Sequence, residues 1–334
     1  MKRMKGVVGG GGPWEAPRSR SRTTTDSRSR PMPAPAPDFA IIGAMKSATS
    51  TLHVQLSAVS GVAMSSPKEP CFFSDDEIFA RGEAWYDACF AHAGPGDLRG
   101  ESSTHYTKLP TLPHACERLH RRRPDAKLLY VIRHPVDRLV SHYVHGWTEG
   151  WYRGDLERAI DEDTTLVAYG RYAMQLRPWL DRFGPEQVLL VAYDGIRTRP
   201  QEELARIGAF LGLSKCPTWV EAREPTNVSA NRMRRSRFKS WFVDPAWATA
   251  LRRAFVPKAL RERIRARHQM TSRPELRPER RRRLEEIFDE DLATLSTWLG
   301  REIRCGNFTE ATLGEPLSWT AATPSPRPVA ESMR

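Results

Sequence analysis

Three short apolar runs constrain the fold most: Phe39–Ile42, Leu128–Ile132 and Val188–Ala192. None alternates polar with apolar residues. Each strand must therefore be covered on both faces, the condition of a parallel sheet lying between two layers of helix. Helical stretches lie between and beyond them. Residues 201–211 place Leu204, Ile207 and Leu211 on one stripe and stop at Gly212. Residues 279–299 place Leu284, Ile287, Phe288, Leu292, Leu295 and Leu299 on another. Strands alternating with helices predict a doubly wound α/β domain.

The 334 residues suffice for one large α/β domain. Residues 1–37 are rich in Gly, Arg, Ser and Pro and poor in large apolar side chains. They cannot bury enough surface to offset their ordering entropy, and disorder is expected there. The expected organisation is a disordered basic segment over 1–37, a domain over 38–310 and a flexible tail over 311–334. The net charge of +12 is uneven: residues 1–37 hold eight Lys/Arg against two acids, and residues 232–283 hold 18 against four. That basic balance fits a polyanionic partner, an anionic ligand or a solvated surface. The five cysteines are widely spaced, with no CxxC or Cys/His cluster, so no metal and no disulfide framework is expected. No apolar stretch approaches the ~20 residues that cross a bilayer, and no signal-peptide pattern opens the chain. A cytoplasmic location is the expectation.

The first apolar run leads into "GAMKSATSTL". A strand, a tight turn at Gly43 and a helix starting near Ser47 present unpaired first-turn N–H groups and the positive end of a helix dipole to an anion. Lys46 adds a point charge, and Thr49, Ser50 and Thr51 add hydroxyl donors. The stretch is not the ATPase pattern GxxxxGK[ST], because the lysine comes early and a second glycine is missing. Without other signals it also reads as an ordinary strand-to-helix turn with a capping serine and an exposed lysine. The second run leads into "IRHPVDRLVSHY". Arg133 stands at the strand's carboxyl end, Pro135 suits the first turn of a helix, and Ser141 follows eight residues after Arg133. A magnesium nucleotidase would carry a metal-binding carboxylate at such a strand end. An arginine binds phosphate directly. Two such tips suggest one ligand with phosphates in two places; a surface ion pair is the alternative for Arg133.

Together these motifs resemble the PAPS-dependent sulfotransferases (PAPS is 3′-phosphoadenosine 5′-phosphosulfate), chiefly bacterial members and the heparan sulfate sulfotransferase branch. The likeness extends through "SSPKEPCFFSD" (65–75), "RGESSTHY" (99–106) and the stretches over 170–196 and 199–213, covering about residues 38–304. It implies a single P-loop-type α/β domain and a donor loop of Lys46, Ser47, Ala48, Thr49, Ser50 and Thr51. Lys46 would also stabilise the leaving phosphate. Arg133 and Ser141 would hold the 3′-phosphate, and Glu69 would be the general base; a solvated turn acid after Pro67 or a salt-bridge partner of Lys68 is the alternative for Glu69. Arg235 and Arg237, in the late basic stretch "NVSANRMRRSRFK", are candidates for further 3′-phosphate contacts. Lys68, His105 and Tyr106 are candidate acceptor contacts. Tyr172 and Trp179 read as packing residues. Two departures stand out: Ala48 where many relatives carry glycine, and Cys71 where the "KEPHFF" pattern has histidine. A buried small hydrophobe is the expectation for Cys71.

The resemblance implies sulfuryl transfer from PAPS to a hydroxyl of a small-molecule or carbohydrate acceptor, with no metal and no nucleic-acid partner. A P-loop small-molecule kinase and a basic nucleic-acid-binding protein are the alternatives. The kinase requires magnesium and a metal carboxylate; the nucleic-acid reading leaves Lys46 and Arg133 without a role. The sequence leaves the acceptor and the oligomeric state open.

Overall fold

The computed structural model describes residues 35–221, 270 and 272–326. The segment expected to be disordered therefore lies, but for residues 35–37, outside the described residues. So do Arg235 and Arg237. The compact unit that carries the fold begins at Pro35.

Five parallel strands form the central sheet: β1 (Phe39–Gly43), β2 (Val62–Met64), β3 (Leu98–Ser102), β4 (Lys127–Ile132) and β5 (Val188–Ala192), in the order β2-β3-β1-β4-β5. The two-residue period of the strands divides the core in two. Ala40, Ile42, Leu128, Tyr130 and Ile132 face one layer, whereas Phe39, Ile41, Leu129 and Val131 face the other. On the second face lie α1 (Thr49–Ser57), through Leu52 and Leu56, and the stripe predicted over 201–211. On the first face lie α4 (Ala115–Arg122) and α5 (Pro135–Glu149), preceded by the short α2 (Asp76–Phe79) and α3 (Glu83–Ala88). After α5 come α6 (Leu156–Glu162), α7 (Thr165–Ala168), α8 (Tyr172–Phe183), α9 (Tyr193–Thr198), α10 (Pro200–Leu211), α11 (Pro278–Leu299) and α12 (Phe308–Leu313). The predicted stop at Gly212 holds, and Gly300 likewise ends α11; both glycines are left-handed, at φ 80° and 61°.

The α/β class and the parallel sheet are as the apolar runs predict. Two strands are additional. β2 has only three residues, and β3 reads Leu-Arg-Gly-Glu-Ser, which carries no apolar signal. Its polar residues are individually satisfied. Arg99 donates from its backbone N, Nε and Nη2 to the Asp38 carboxylate at 2.7, 3.0 and 3.2 Å, and Glu101 accepts from three hydroxyls described below. Residues 311–326, assigned from sequence to a tail, lie against the domain: Leu317 is buried and Trp319 Nε1 donates to the Val188 carbonyl at 2.6 Å.

β1 is the switch point of the topology. The chain leaves it towards β2 on one side, then returns past it from β3 to β4 on the other. In open α/β sheets ligands bind at the carboxyl ends of the strands beside such a point. Among the described residues no helix is long and apolar enough to cross a membrane.

A Cβ on Gly100 would lie 2.0 Å from Phe39 Cζ, inside the fully buried ring. Gly100→Ala should therefore destabilise the protein by about 1–3 kcal/mol. Urea unfolding measures this, and an unchanged midpoint would contradict the packing described.

Candidate active site

β1 ends in a bulge, where its register against β4 shifts between Ile41 and Gly43, and this turns the chain out of the sheet. Gly43 is needed there: a Cβ would lie 2.1 Å from Thr107 Oγ1, which donates to the Ile42 carbonyl at 2.7 Å. The loop that follows is held in left-handed conformation at two non-glycine residues, Lys46 (φ 69°) and Ala48 (φ 63°). Ala48 caps α1 without a side-chain bond. A glycine at this position would relieve about 1 kcal/mol of strain. Ser47 is fully buried and its Oγ has no hydrogen-bond partner. Thr49 is buried, and Ser50 and Thr51 are half-buried in the first turn. A buried hydroxyl without a partner beside a helix N-terminus fits a bound phosphate.

Arg133 meets this loop. Its Nη1 donates to the Lys46 carbonyl at 3.0 Å, and its guanidinium lies 4.4 Å from the centre of the Tyr193 ring. Tyr172, read from sequence as packing, is buried and does more: its hydroxyl accepts from Arg133 N at 3.2 Å and donates to the Arg133 carbonyl. The backbone that aims Arg133 is thus fixed from α8. Ser141 is buried on α5, the helix that begins two residues after Arg133. Its neighbour His142 stacks on Tyr169 and is pushed down to about pKa 2 by burial and by surrounding cations, Arg138 and Lys46 among them. It is a neutral imidazole.

Glu69 arrives from the loop after β2. Both Glu69 (φ 56°) and Cys71 (φ 54°) are left-handed. The Glu69 carboxylate receives Lys68 Nζ at 2.6 Å and Thr104 Oγ1 at 3.4 Å. Behind it sits a buried polar network. Glu101 accepts from Tyr86 and Tyr106 at 2.9 and 2.8 Å on one oxygen and from Ser103 Oγ at 3.1 Å on the other. Ser103 Oγ and Tyr106 Oη in turn accept from Cys71 N at 3.1 Å and Phe73 N at 3.5 Å. One carboxylate therefore anchors two backbone amides of the loop that carries Glu69. Burial raises Glu101 to about pKa 7 against the three hydroxyl donors.

The structure brings Lys46, Ser47, Ala48, Thr49, Ser50, Thr51 and Arg133 together directly. Glu69 and Lys68 lie within electrostatic reach of His53 on α1, whose ring shares a hydrogen bond with Ser102 Oγ at 3.1 Å and which burial, with Lys68 nearby, lowers to about pKa 4. His105 is half-buried beside Glu69. Tyr106 does not line a cleft: it is 2% exposed, and its hydroxyl belongs to Glu101. Cys71 is buried, and burial followed by the Glu69 carboxylate pushes its thiol up to about 12, so it is not a nucleophile.

His53, Glu101, Thr104 and Lys108 belong to the site without a sequence signal of their own. Lys108 is half-buried, with Nζ 5.8 Å from the centre of the Tyr169 ring, and burial brings it down to about pKa 8 against the pull of Glu69 and Cys71. It follows "SSTHYT" with no motif of its own. Its only signal was proximity to that block.

The lysine loop and Arg133 lie side by side at adjacent strand ends, an arrangement suited to an anionic ligand. Comparison with known proteins narrows the class. Residues 89–217 match the profile of the Sulfotransferase family. Over 187 residues the chain is 29% identical to heparan sulfate glucosamine 3-O-sulfotransferase 3B1 of Mus musculus, covering 53% of this chain and 46% of that protein. It is 30% identical to heparan sulfate glucosamine 3-O-sulfotransferase 5 of Mus musculus, covering 52% of each. The chain spans about half the length of the curated relatives it matches. A crystal structure of a sulfotransferase from Alicyclobacillus acidocaldarius superimposes with a TM-score of 0.57 at 25% identity, covering 80% of this chain and 97% of that one. These comparisons agree on one class and bear out both the sulfotransferase resemblance and the fold it implies.

Glu101 holds its proton more tightly in the folded chain than in the unfolded one, where an ordinary glutamate titrates near 4.5. Its contribution favours folding below that value and is lost as pH rises through about 7. Relative to Glu101→Gln, the wild type should lose stability between about pH 5 and pH 7.5. Urea unfolding of both proteins across that window gives the difference; a pH-independent difference would contradict the assignment.

Proposed function

We propose that this chain is a PAPS-dependent sulfotransferase that moves a sulfuryl group to a hydroxyl of a carbohydrate or glycosylated small molecule. The observation that carries the reading is the hydrogen bond from Arg133 to the Lys46 carbonyl. It sets an ammonium-bearing loop and a guanidinium side by side at neighbouring strand tips, the arrangement needed to hold the 5′- and 3′-phosphates of one adenosine.

Each residue has a defined part. Ser47, Ala48, Thr49, Ser50 and Thr51 surround the 5′-phosphate with backbone and hydroxyl donors, and the unpartnered Ser47 hydroxyl supports this. Arg133 and Ser141 bind the 3′-phosphate and so position the donor rather than act at the reacting bond. Glu69 takes the proton of the acceptor hydroxyl as its oxygen attacks sulfur. The bond from sulfur to the bridging phosphate oxygen breaks, and its electron pair leaves with 3′-phosphoadenosine 5′-phosphate. Lys46 and the N-terminus of α1 stabilise that developing charge. Thr104 and Lys68 orient the Glu69 carboxylate. Lys68 and His105 contact the acceptor, and Arg235 and Arg237 add to the 3′-phosphate site. The scheme uses no metal.

The acceptor class rests on the names of the relatives, which act on glucosamine of heparan sulfate. The five free cysteines suit a reducing compartment, and the reading assigns the enzyme to the cytoplasm.

Calorimetric titration without magnesium tests the donor. 3′-Phosphoadenosine 5′-phosphate should bind, and Arg133→Ala should weaken it at least tenfold; preference for magnesium-ATP would overturn the reading. Glu69→Gln should retain nucleotide binding and lose transfer by about 10²-fold or more. Near-normal turnover in that variant would remove Glu69 as the base.

A further inference from the structure

We infer that the Glu69 carboxylate, the Cys71 thiol and the His105 imidazole form a binding site for a soft divalent cation of the Zn2+ type, seated on the candidate base. One donor atom from each of the three residues lies within 4.8 Å of the other two. The set combines sulfur, nitrogen and oxygen donors, the combination that zinc takes in preference to magnesium or calcium. In tetrahedral zinc coordination such donors sit roughly 3.3–3.6 Å apart, so closure by roughly 1 Å completes the site. Three protein ligands leave the fourth position to water or to an acceptor oxygen.

The loop is built to hold this geometry. Cys71 N is fixed to Ser103 Oγ and, through it, to Glu101, which sets where the thiol points. His105 lies on the short 3-10 turn Thr104–Thr107, whose Thr104 already touches Glu69. The substitution of cysteine for the histidine of the resembled pattern exchanges an imidazole for a thiol, and so favours soft ions more strongly.

Two lysines oppose the cation. Lys68 occupies one Glu69 oxygen at 2.6 Å. It is half-buried on a flexible stem and yields that oxygen to the ion. Lys108 stays nearby and limits affinity, which makes the site reversible rather than structural. On binding, the thiol releases its proton to solvent and the thiolate ligates the metal; the burial that holds the thiol protonated in the free protein is a cost the metal bond must exceed, and it lowers affinity further. A cation so placed occupies the lone pairs with which Glu69 would take the acceptor proton. The consequence for activity, a reversible block of transfer, rests on the sulfotransferase reading; the binding itself does not.

The experiment uses the full chain and two metals. Co2+ is titrated into the wild-type protein and followed by its sulfur-to-metal charge-transfer absorption, and Zn2+ affinity is then measured by displacement of Co2+. The expected result is a thiolate band that saturates at one metal per chain, with Cys71→Ser abolishing the band and His105→Ala weakening Zn2+ at least tenfold. Near-ultraviolet circular dichroism verifies that the variants fold, and the wild-type band is informative without them. A missing band in the wild type, or a band that persists in Cys71→Ser, overturns the inference. In a parallel transfer assay Zn2+ should inhibit and a chelator restore activity. A saturating band in a protein that transfers no sulfuryl group would sink the activity reading and leave the metal site standing. Zinc-insensitive transfer without a band would do the reverse.

Discussion

The hydrogen bond between the Arg133 guanidinium and the Lys46 carbonyl is the contact on which the site depends. It exists because β1 and β4 are parallel neighbours that end together. The Ala44 amide extends their ladder by one bond to the Val131 carbonyl at 3.0 Å, so the two loops leave the sheet side by side. Tyr172 then fixes the Arg133 backbone at both its N–H and its carbonyl. The cost of the arrangement is visible in the backbone. Two residues with side chains, Lys46 and Ala48, adopt conformations suited to glycine. Such strain persists only where the surroundings over-determine it, and the buried start of α1 and the Thr107 bond to Ile42 do so here.

A second constraint lies behind the first. Glu101 puts an acid inside the central sheet, on a strand between β1 and β2, and three hydroxyls satisfy it. The gain is a rigid anchor for the loop carrying Glu69 and Cys71. Around the cluster the titratable groups divide by environment. Glu101 is raised to about 7, Lys108 lowered to about 8, and His142 kept neutral. Pushing groups with such different intrinsic affinities for protons towards one another is common where proton transfer must occur near neutrality.

Much of the architecture was legible because it rests on burial. The runs at Phe39, Leu128 and Val188 are covered on both faces, and unbroken hydrophobicity reports that directly. The stripe of α10 and its stop at Gly212 are equally local signals. β3 was not legible, because its polar residues are tolerated only through side-chain partners that a strand pattern does not reveal: Asp38 for Arg99, and Tyr86, Ser103 and Tyr106 for Glu101. The same dependence on a buried partner explains Tyr106, which shares a block with His105 but points into the core to meet Glu101. It explains Lys108 as well, whose depressed affinity for protons arises from burial beside Tyr169. The strand, turn and helix around Lys46 were legible as elements, but the burial of Ser47 without a partner was not, since the sequence also allows an ordinary turn with an exposed lysine. Arg235 and Arg237 lie outside the described residues, and their part rests on the resemblance alone.

A crystal structure of the protein with 3′-phosphoadenosine 5′-phosphate tests most directly whether one ligand spans the two strand tips. The 5′-phosphate is expected in the loop of residues 46–51, within hydrogen-bond distance of Lys46 and Ser47, and the 3′-phosphate against Arg133 and Ser141. A nucleotide bound elsewhere, or one whose two phosphates both lie away from Arg133, would contradict the account.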